Sequence, residues 1–145
     1  MTVDAFWKEY LDYAKLDKST KYRNSYYFDT TEEGATKCLD LVLAGKQRAT
    51  TGILADYDGN IPKAGEDYTI ITDWHGVPHC VIQTTVVTIM PFGDMTFELC
   101  HREGAYNSLE AWRNDHMRYF KEEGYDFSED MPILFREFEV VYTRR

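Results

Sequence analysis

The rest of the chain is organised around the stretch Leu41–Gly52, with the sequence LVLAGKQRATTG. Within it the spacing of apolar residues changes from that of a helix to that of a strand. Its first residues end an amphipathic helix, and Gly45 stands where a left-handed residue commonly stops a helix. Two cationic residues, Lys46 and Arg48, follow it, and two threonines then begin a predicted strand. The stretch therefore predicts a helix-to-strand corner that carries positive charge and hydroxyl groups.

Two interpretations of this corner are open. Basic residues beyond a helix C-terminus offset the helix dipole by about 0.3–1 kcal/mol, and threonine favours strands, so a structural role accounts for the pattern. In the functional interpretation, Lys46 or Arg48 binds an anion or polarises a carbonyl group. Thr50 or Thr51 then supplies a nucleophile or a hydrogen-bond donor. A hydroxyl nucleophile needs a neighbouring base or positive charge, and Glu103 is a candidate carboxylate.

The chain before this corner is predicted to form two helices separated by an irregular arm. Residues 3–15 carry apolar side chains at helical spacing, which predicts an amphipathic helix packed on the body of the protein. Residues 17–29 are polar and aromatic without a clean period, so we expect a loop or irregular arm. Thr30 and Glu33 form a capping-box pattern, which predicts a second helix over residues 31–44.

The chain after the corner combines predicted strands with two predicted helices. One helix is expected from Asp94 to His101, and a longer one from a Ser108 cap to a stop at Gly124. Segments rich in β-branched residues and bounded by turns predict strands at residues 49–57, 68–72, 78–89 and 133–142.

The order of these elements indicates the fold class. Strands joined by short turns should pair antiparallel, and the chain lacks the regular alternation of strand and helix that builds a parallel sheet. We therefore expect an α+β fold, in which helices pack outside a small curved or barrel-like sheet. A length of 145 residues fits one domain spanning residues 1–145.

The acidity of the chain limits its partners. The net charge is −9, which argues against non-specific binding to nucleic acid or to an anionic membrane but leaves room for a local basic pocket. No apolar run approaches the roughly 20 residues of a membrane span, and the acidic N-terminus is unlike a signal peptide. We therefore expect no membrane partner.

The cysteine and histidine patterns favour a reduced protein without a metal. Three cysteines lie far apart with no Cys-x-x-Cys pair, which is typical of buried thiols in a cytoplasmic protein. His75 and His79 have the spacing of a helical metal pair, but Gly76 and Pro78 lie between them. Glycine-rich nucleotide motifs and the Gly-x-Ser-x-Gly motif do not occur. We expect neither a metal nor a cofactor.

The sequence LVLAGKQRATTG resembles the signature of the ASCH domain family, in which Gly-x-Lys is followed three residues later by threonine or glutamate. The resemblance extends to FWKEYL, YYFD, VIQTTVVTIMPF, EGAYNSLEAWRNDH and SEDMPILFREFEVVY, which look like a bacterial branch of the family. It implies a PUA-like fold, a small mixed or antiparallel β-barrel with peripheral helices around a cleft. It also implies RNA or a modified nucleoside as the ligand.

Some members of the family remove the acetyl group from acetylcytidine, and others are described as ribonucleases. The resemblance to the amidohydrolases places the threonine on Thr50, the glutamate on Glu103 and the lysine on Gln47. Glutamine can hydrogen-bond a carbonyl or a base edge but carries no charge and cannot act as a base. Neighbouring Arg48 can supply charge but not general-base catalysis. The departure at Gln47 weakens the inference of amidohydrolase activity.

Three hypotheses therefore stand. The first is a domain that binds RNA or a modified nucleoside through the corner and the available aromatic rings, which are those of Tyr26, Tyr27, Phe28 and Trp112. The second is a hydrolase that acts on an amide or phosphodiester of a modified nucleoside. In it Thr50 is the nucleophile, Glu103 is the proton shuttle, and Gln47 with Lys46 or Arg48 stabilises the carbonyl or phosphate group. The third is a small-metabolite or protein-interaction module, which an acidic cleft would favour. The ligand-binding residues predicted for the first hypothesis are Lys46, Arg48, Thr51, Tyr27, Phe28 and Trp112.

Overall fold

The computed structural model describes residues 1–144, and Arg145, the last residue of the predicted domain, lies outside the described residues. The helices are α1 (Val3–Ala14), α2 (Glu32–Leu43), α3 (Phe97–Cys100) and α4 (Leu109–Glu122). The strands are β1 (Asn24–Tyr26), β2 (Ala49–Ile53), β3 (Tyr68–Thr72), β4 (Pro78–Pro91) and β5 (Pro132–Thr143). Short 3-10 helices occupy Leu54–Tyr57, Phe92–Asp94 and His101–Glu103.

The five strands form one curled sheet in the order β1-β3-β4-β5-β2, an open half-barrel. The β1–β3 pair is parallel, and the other three pairs are antiparallel. The ladder between β4 and β5 shifts register between Val81 and Ile82 and again between Thr84 and Val86. Such bulges bend a strand and increase its twist. The predicted α+β fold with a curved sheet is confirmed.

The prediction of an irregular arm at residues 17–29 was wrong at one point. Asn24–Tyr26 forms β1, and Arg23 N donates to Tyr68 O where the strand begins. Three residues are too few to show a period of two, so only the backbone bonds to β3 reveal this strand. The predicted strand over residues 49–57 ends earlier, at Ile53, where a 3-10 helix follows.

Two of the predicted helix caps were also wrong, each by one or two residues. The N-cap of α2 is Thr31, whose hydroxyl accepts from Gly34 N at 3.0 Å, whereas the hydroxyl of Thr30 donates to Asp29 in the preceding turn. The N-cap of α3 is Thr96 rather than Asp94. The Ser108 cap of α4 is confirmed. These local exchanges leave the order of the elements unchanged.

The end of α2 has the predicted geometry. Gly45 has φ +74°, and Lys46 N donates to Leu41 O at 2.9 Å. This is the backbone bond of a Schellman stop, which glycine permits because it has no Cβ. The chain therefore reverses sharply at Gly45 and enters β2.

Helices α1 and α2 cover opposite faces of the same strands. Consecutive residues of a strand point to opposite faces. Accordingly, Ile70 of β3 packs with Phe6 and Trp7 of α1, whereas Ile71 packs with Leu39 and Val42 of α2. Burying both faces stabilises the middle of the sheet by the transfer of apolar area from water.

A third core lies beneath β2 and the first half of β5. It joins Trp112 and Phe120 of α4 to Phe135 of β5 and to Ala49 and Ile53 of β2. Helix α4 therefore supports the strand that follows the corner. Across residues 1–144, every helix is too short or too polar to traverse a lipid bilayer.

Candidate functional site

A cavity of about 440 Å³ opens where the curl of the sheet brings its two edge strands, β1 and β2, towards each other. The 3-10 helix after β2 and the first half of β5 complete its wall. Its volume lies within the range of small-molecule sites, roughly 300–1,000 Å³. The lining residues are Arg23, Asn24, Tyr26, Thr50, Thr51, Gly52, Ile53, Asp56, Tyr57, Asn60 and Arg136.

Pairing between β2 and β5 determines which side chains share a face at the cavity. Thr50 is the direct partner of Arg136, and Thr51 is the direct partner of Phe135. Directly opposed residues lie on the same face of a sheet, and their neighbours point the other way. Thr50 and Arg136 therefore share the cavity face, while the Thr51 side chain points towards the core beneath α4.

Arg136 is the most unusual lining residue, because its side chain is charged and only 3% exposed. The one hydrogen bond of its side chain within residues 1–144 goes from Nη2 to the Tyr26 hydroxyl at 3.1 Å. Its Nε atom is buried without a partner, and no carboxylate of the described chain forms an ion pair with it. Burying an uncompensated guanidinium is costly, so this position indicates a site for an acceptor or an anion.

Arg23, at the opposite wall, is already neutralised. Its guanidinium forms an ion pair with Asp67 at 3.0 Å and donates to Asn60 O at 2.7 Å. These contacts tie the start of β1 to the loop after the 3-10 helix. The Nε atoms of Arg23 and Arg136 are both buried without a hydrogen-bond partner within residues 1–144. The two residues differ in charge compensation, because Arg23 has Asp67 as an ion-pair partner and Arg136 has no carboxylate partner on the described chain.

Tyr57 closes one side of the cavity. Burial raises the pKa of its hydroxyl, with Arg136 acting in the opposite direction. Its ring lies against Gly52, where an added Cβ would stand 3.4 Å from Tyr57 Cε2. The phenol is therefore neutral at physiological pH and available as a hydrogen-bond donor.

Glu103 lies on the other side of β2, in a buried polar cluster beneath the cavity. It is 8% exposed, and its Oε2 atom accepts from Thr51 Oγ1 at 2.8 Å and from Trp112 Nε1 at 2.5 Å. Its Oε1 atom lies 3.6 Å from His116 Nε2. Glu103 thus contacts Thr51 rather than Thr50, because alternation along β2 places the two hydroxyls on opposite faces.

Protonation of His116 is expected to make stability depend on pH. Burial alone would lower the pKa of His116, but the Glu103 carboxylate and the Trp112 carbonyl outweigh it, and the net pKa is raised. A raised pKa stabilises the fold below the unfolded value of about 6.5. This contribution is then lost as pH rises through the folded value.

Urea unfolding at about pH 6 and about pH 8 measures this dependence. The unmodified protein should lose more stability than His116→Gln over that interval. Equal losses in both proteins would contradict the assignment.

The structure separates the side chains predicted for the corner. Lys46 and Arg48 are exposed and lie outside the cavity lining, whereas Thr50 and Thr51 belong to it. Of the two threonine side chains, that of Thr51 points away from the cavity to Glu103. Gln47 is only 7% exposed, and its Oε1 atom is buried without a hydrogen-bond partner within residues 1–144. The positive charge at the cavity comes from Arg23, which directly precedes β1, and from Arg136 in β5 rather than from the corner.

The aromatic residues predicted to stack on a ligand also occupy different places. Trp112 is fully buried and stacked on Phe92, so its ring is not available in this structure. Phe28 packs in the core beneath α2, and Tyr27 is exposed beside Trp74 outside the cavity lining. Tyr26, the neighbour of both, does line the cavity.

Sequence reasoning missed Arg136, Arg23 and Tyr57. Only a partial signal for Arg136 was present, since it directly follows three apolar residues in the predicted strand ILFREFEVVY, which also carries Glu137 and Glu139. A charged side chain is rarely buried without a functional or structural partner. Arg23 and Tyr57 lie in segments without periodicity, where no comparable signal exists.

The thiols and histidines offer no second reactive centre within residues 1–144. Burial raises the pKa of Cys80 to about 12 and that of Cys100 to about 11, so both thiols stay protonated near neutral pH. His75 pairs with Glu32, and His79 pairs with Asp73. The described chain contains no group of three side chains that could hold a metal ion.

The molecule is thus an α+β protein whose curled sheet opens into a small, polar, ligand-sized cavity. A family model described as the ASCH domain matches residues 24–142. The chain belongs to the ASCH domain family.

Solved structures agree with this assignment. An ASCH domain from Lactobacillus crispatus JV V101 is 30% identical, with a TM-score of 0.80, covering 96% of this chain and 93% of that chain. Protein EF3133 from Enterococcus faecalis V583 is 34% identical, with a TM-score of 0.83, covering 96% and 87%. Hypothetical protein PH0355 shares the fold alone, at 18% identity, a TM-score of 0.54, and coverage of 81% and 97%. No curated protein matches the chain.

Proposed function

We propose that this ASCH domain binds RNA or a modified nucleoside in the cavity between β1 and β2. The observation that carries the proposal is the buried Arg136, which faces the cavity beside Thr50 and has no carboxylate partner within residues 1–144. The family is generally linked to RNA binding. The three free cysteines of this protein fit a cytoplasmic location for this function.

Binding is better supported than hydrolysis. A threonine nucleophile needs a base within hydrogen-bond reach. In the described chain no side chain bonds to the Thr50 hydroxyl, and Glu103 is already bonded to Thr51 and Trp112. The third hypothesis, a small-metabolite or protein-interaction module, would be favoured by an acidic cleft. The cavity does not have this character, because two arginines and one carboxylate line it.

Binding measurements at low salt test the proposal. The unmodified protein should bind short RNA or single nucleosides, and Arg136→Met should weaken binding by about tenfold or more, as expected for losing a charge-assisted contact. Lys46→Met and Arg48→Met should have smaller effects, because both residues are exposed outside the cavity lining.

The control is Arg118→Met, which removes the same charge from an exposed position on α4. Binding equal to the unmodified protein is expected for this variant. Failure to bind RNA and every nucleoside or nucleotide tested would end the proposal. Turnover of acetylcytidine that disappears in Thr50→Ala would instead favour the hydrolase.

A further inference from the structure

We propose that the group recognised in this cavity is a phosphate monoester, such as that of a single nucleotide or of a nucleic-acid chain end. This inference rests on the proposed function and narrows its ligand. A neutral nucleoside and the internal phosphates of a long RNA are the alternatives that it rejects.

The first step is the excess of hydrogen-bond donors at the cavity. Arg136 uses one N–H group for Tyr26, and its Nε atom is buried without a partner. The hydroxyls of Thr50 and Tyr57 also have no hydrogen-bond partner within residues 1–144. The side-chain carbonyl of Asn24 already accepts from the Thr69 hydroxyl at 2.9 Å, which leaves the side-chain N–H groups of Asn24 as donors.

The acceptors at the cavity are few by comparison. Asp56 is the one carboxylate in the lining, and one of its oxygens accepts from the Tyr125 hydroxyl. Asn60 presents its carbonyl groups to Arg23. The ligand that satisfies such a surface is rich in acceptors and poor in donors, which describes the terminal oxygens of a phosphate.

The second step is charge. Arg23 is compensated by Asp67, so Arg136 is the cation of the lining without an opposite charge on the described chain. A phosphate monoester carries about −1.5 to −2 charges at pH 7 and can share them with a planar guanidinium through paired bonds. A neutral nucleoside would leave the buried charge of Arg136 uncompensated.

The third step is the limited extent of the basic surface. Binding of a long RNA places successive phosphates along a track of cations. Here the chain has a net charge of −9, and the exposed Lys46 and Arg48 lie outside the lining. Arg136 can therefore meet one phosphate, while further phosphates would meet an acidic protein.

Calorimetric titration at fixed ionic strength tests the inference on the unmodified protein. The ligands are the four nucleosides, their 5′- and 3′-monophosphates, and a short RNA with and without a terminal phosphate. We expect the tightest monophosphate to bind at least about tenfold more strongly than its nucleoside, and the terminal phosphate to strengthen RNA binding similarly.

The two sources of the phosphate are distinguished by the same titrations. Equal affinity for the mononucleotide and the end-phosphorylated RNA would identify a chain end as the ligand. Much weaker binding of the RNA would identify a free nucleotide. Either result supports recognition of a phosphate monoester.

Arg136→Met should abolish the preference for phosphate, and Arg118→Met should leave it unchanged. Circular dichroism checks that each variant is folded, and Tyr57→Phe, which removes a single donor, should reduce the preference in part. Nucleosides that bind as well as their monophosphates would overturn the inference while leaving the proposed function intact. So would RNA that binds equally without a terminal phosphate. Absence of binding to all ligands would overturn both.

Discussion

Glu103→Ala should lower the free energy of unfolding by about 3–5 kcal/mol, the range found when one partner of a buried charged cluster is removed. The carboxylate accepts from Thr51 and Trp112 and lies beside His116 in a region closed to solvent. Alanine would leave the indole N–H and the threonine hydroxyl without an acceptor, and each unsatisfied buried group is costly. Urea unfolding monitored by tryptophan fluorescence measures the loss.

Glu103→Gln is the matched control, because it keeps the shape and one carbonyl acceptor while removing the charge. We expect it to cost about 1–2 kcal/mol and to bind ligands as the unmodified protein does. A Glu103→Ala variant as stable as the unmodified protein would show that the cluster contributes little to the fold. Loss of a measured hydrolytic activity in Glu103→Gln, with ligand binding intact, would assign the carboxylate a catalytic role.

Gly104→Ala is expected to have the second largest effect. Gly104 has φ +80°, and a Cβ atom there would lie 2.6 Å from Lys46 O and 3.0 Å from Gln47 Cα. Backbone atoms cannot swing aside as a side chain does, so the corner before β2 would have to move. Backbone strain alone costs about 1–3 kcal/mol, and the collision adds to it. We expect a lower unfolding temperature in thermal unfolding and a lower ligand affinity in titration.

Gly76→Ala separates strain from collision. Gly76 has φ +83°, but an added Cβ there meets no atom within 4 Å. The Gly76→Ala variant should therefore be destabilised by backbone strain alone, and its ligand binding should be unchanged. If both alanine variants lost the same stability, the close approach of Gly104 to the corner would not matter energetically.

The fold was accessible from the sequence wherever a hydrophobic period was long enough to count. The helices at residues 3–15 and 31–44 show such periods, and each is present within a few residues of its predicted bounds. The strands at residues 68–72 and 133–142 were predicted from their β-branched residues and bounding turns, and both are present. Strand β1 has three residues, and its parallel pairing with β3 depends on backbone bonds that leave no mark on composition.

The site was less accessible, because its parts are brought together by the sheet and not by neighbouring positions in the chain. Thr50 was found through the corner motif, but its partner Arg136 is determined by the register between β2 and β5. The same register places Thr51 with Glu103 beneath the sheet, which local sequence cannot reveal. The predicted roles of Thr50, Gln47 and Glu103 in catalysis stay predictions.

The curl of the sheet has an evolutionary consequence. Because β1 and β2 are the two free edges, the width of the cavity depends on how strongly β4 bends at its bulges near Val81 and Thr84. A bulge is a place where a strand already accommodates an unpaired residue. A one-residue insertion or deletion there would widen or narrow the aperture without altering any residue that lines it. Homologues that differ at these bulges can thus bind ligands of another size with the same cavity-lining side chains.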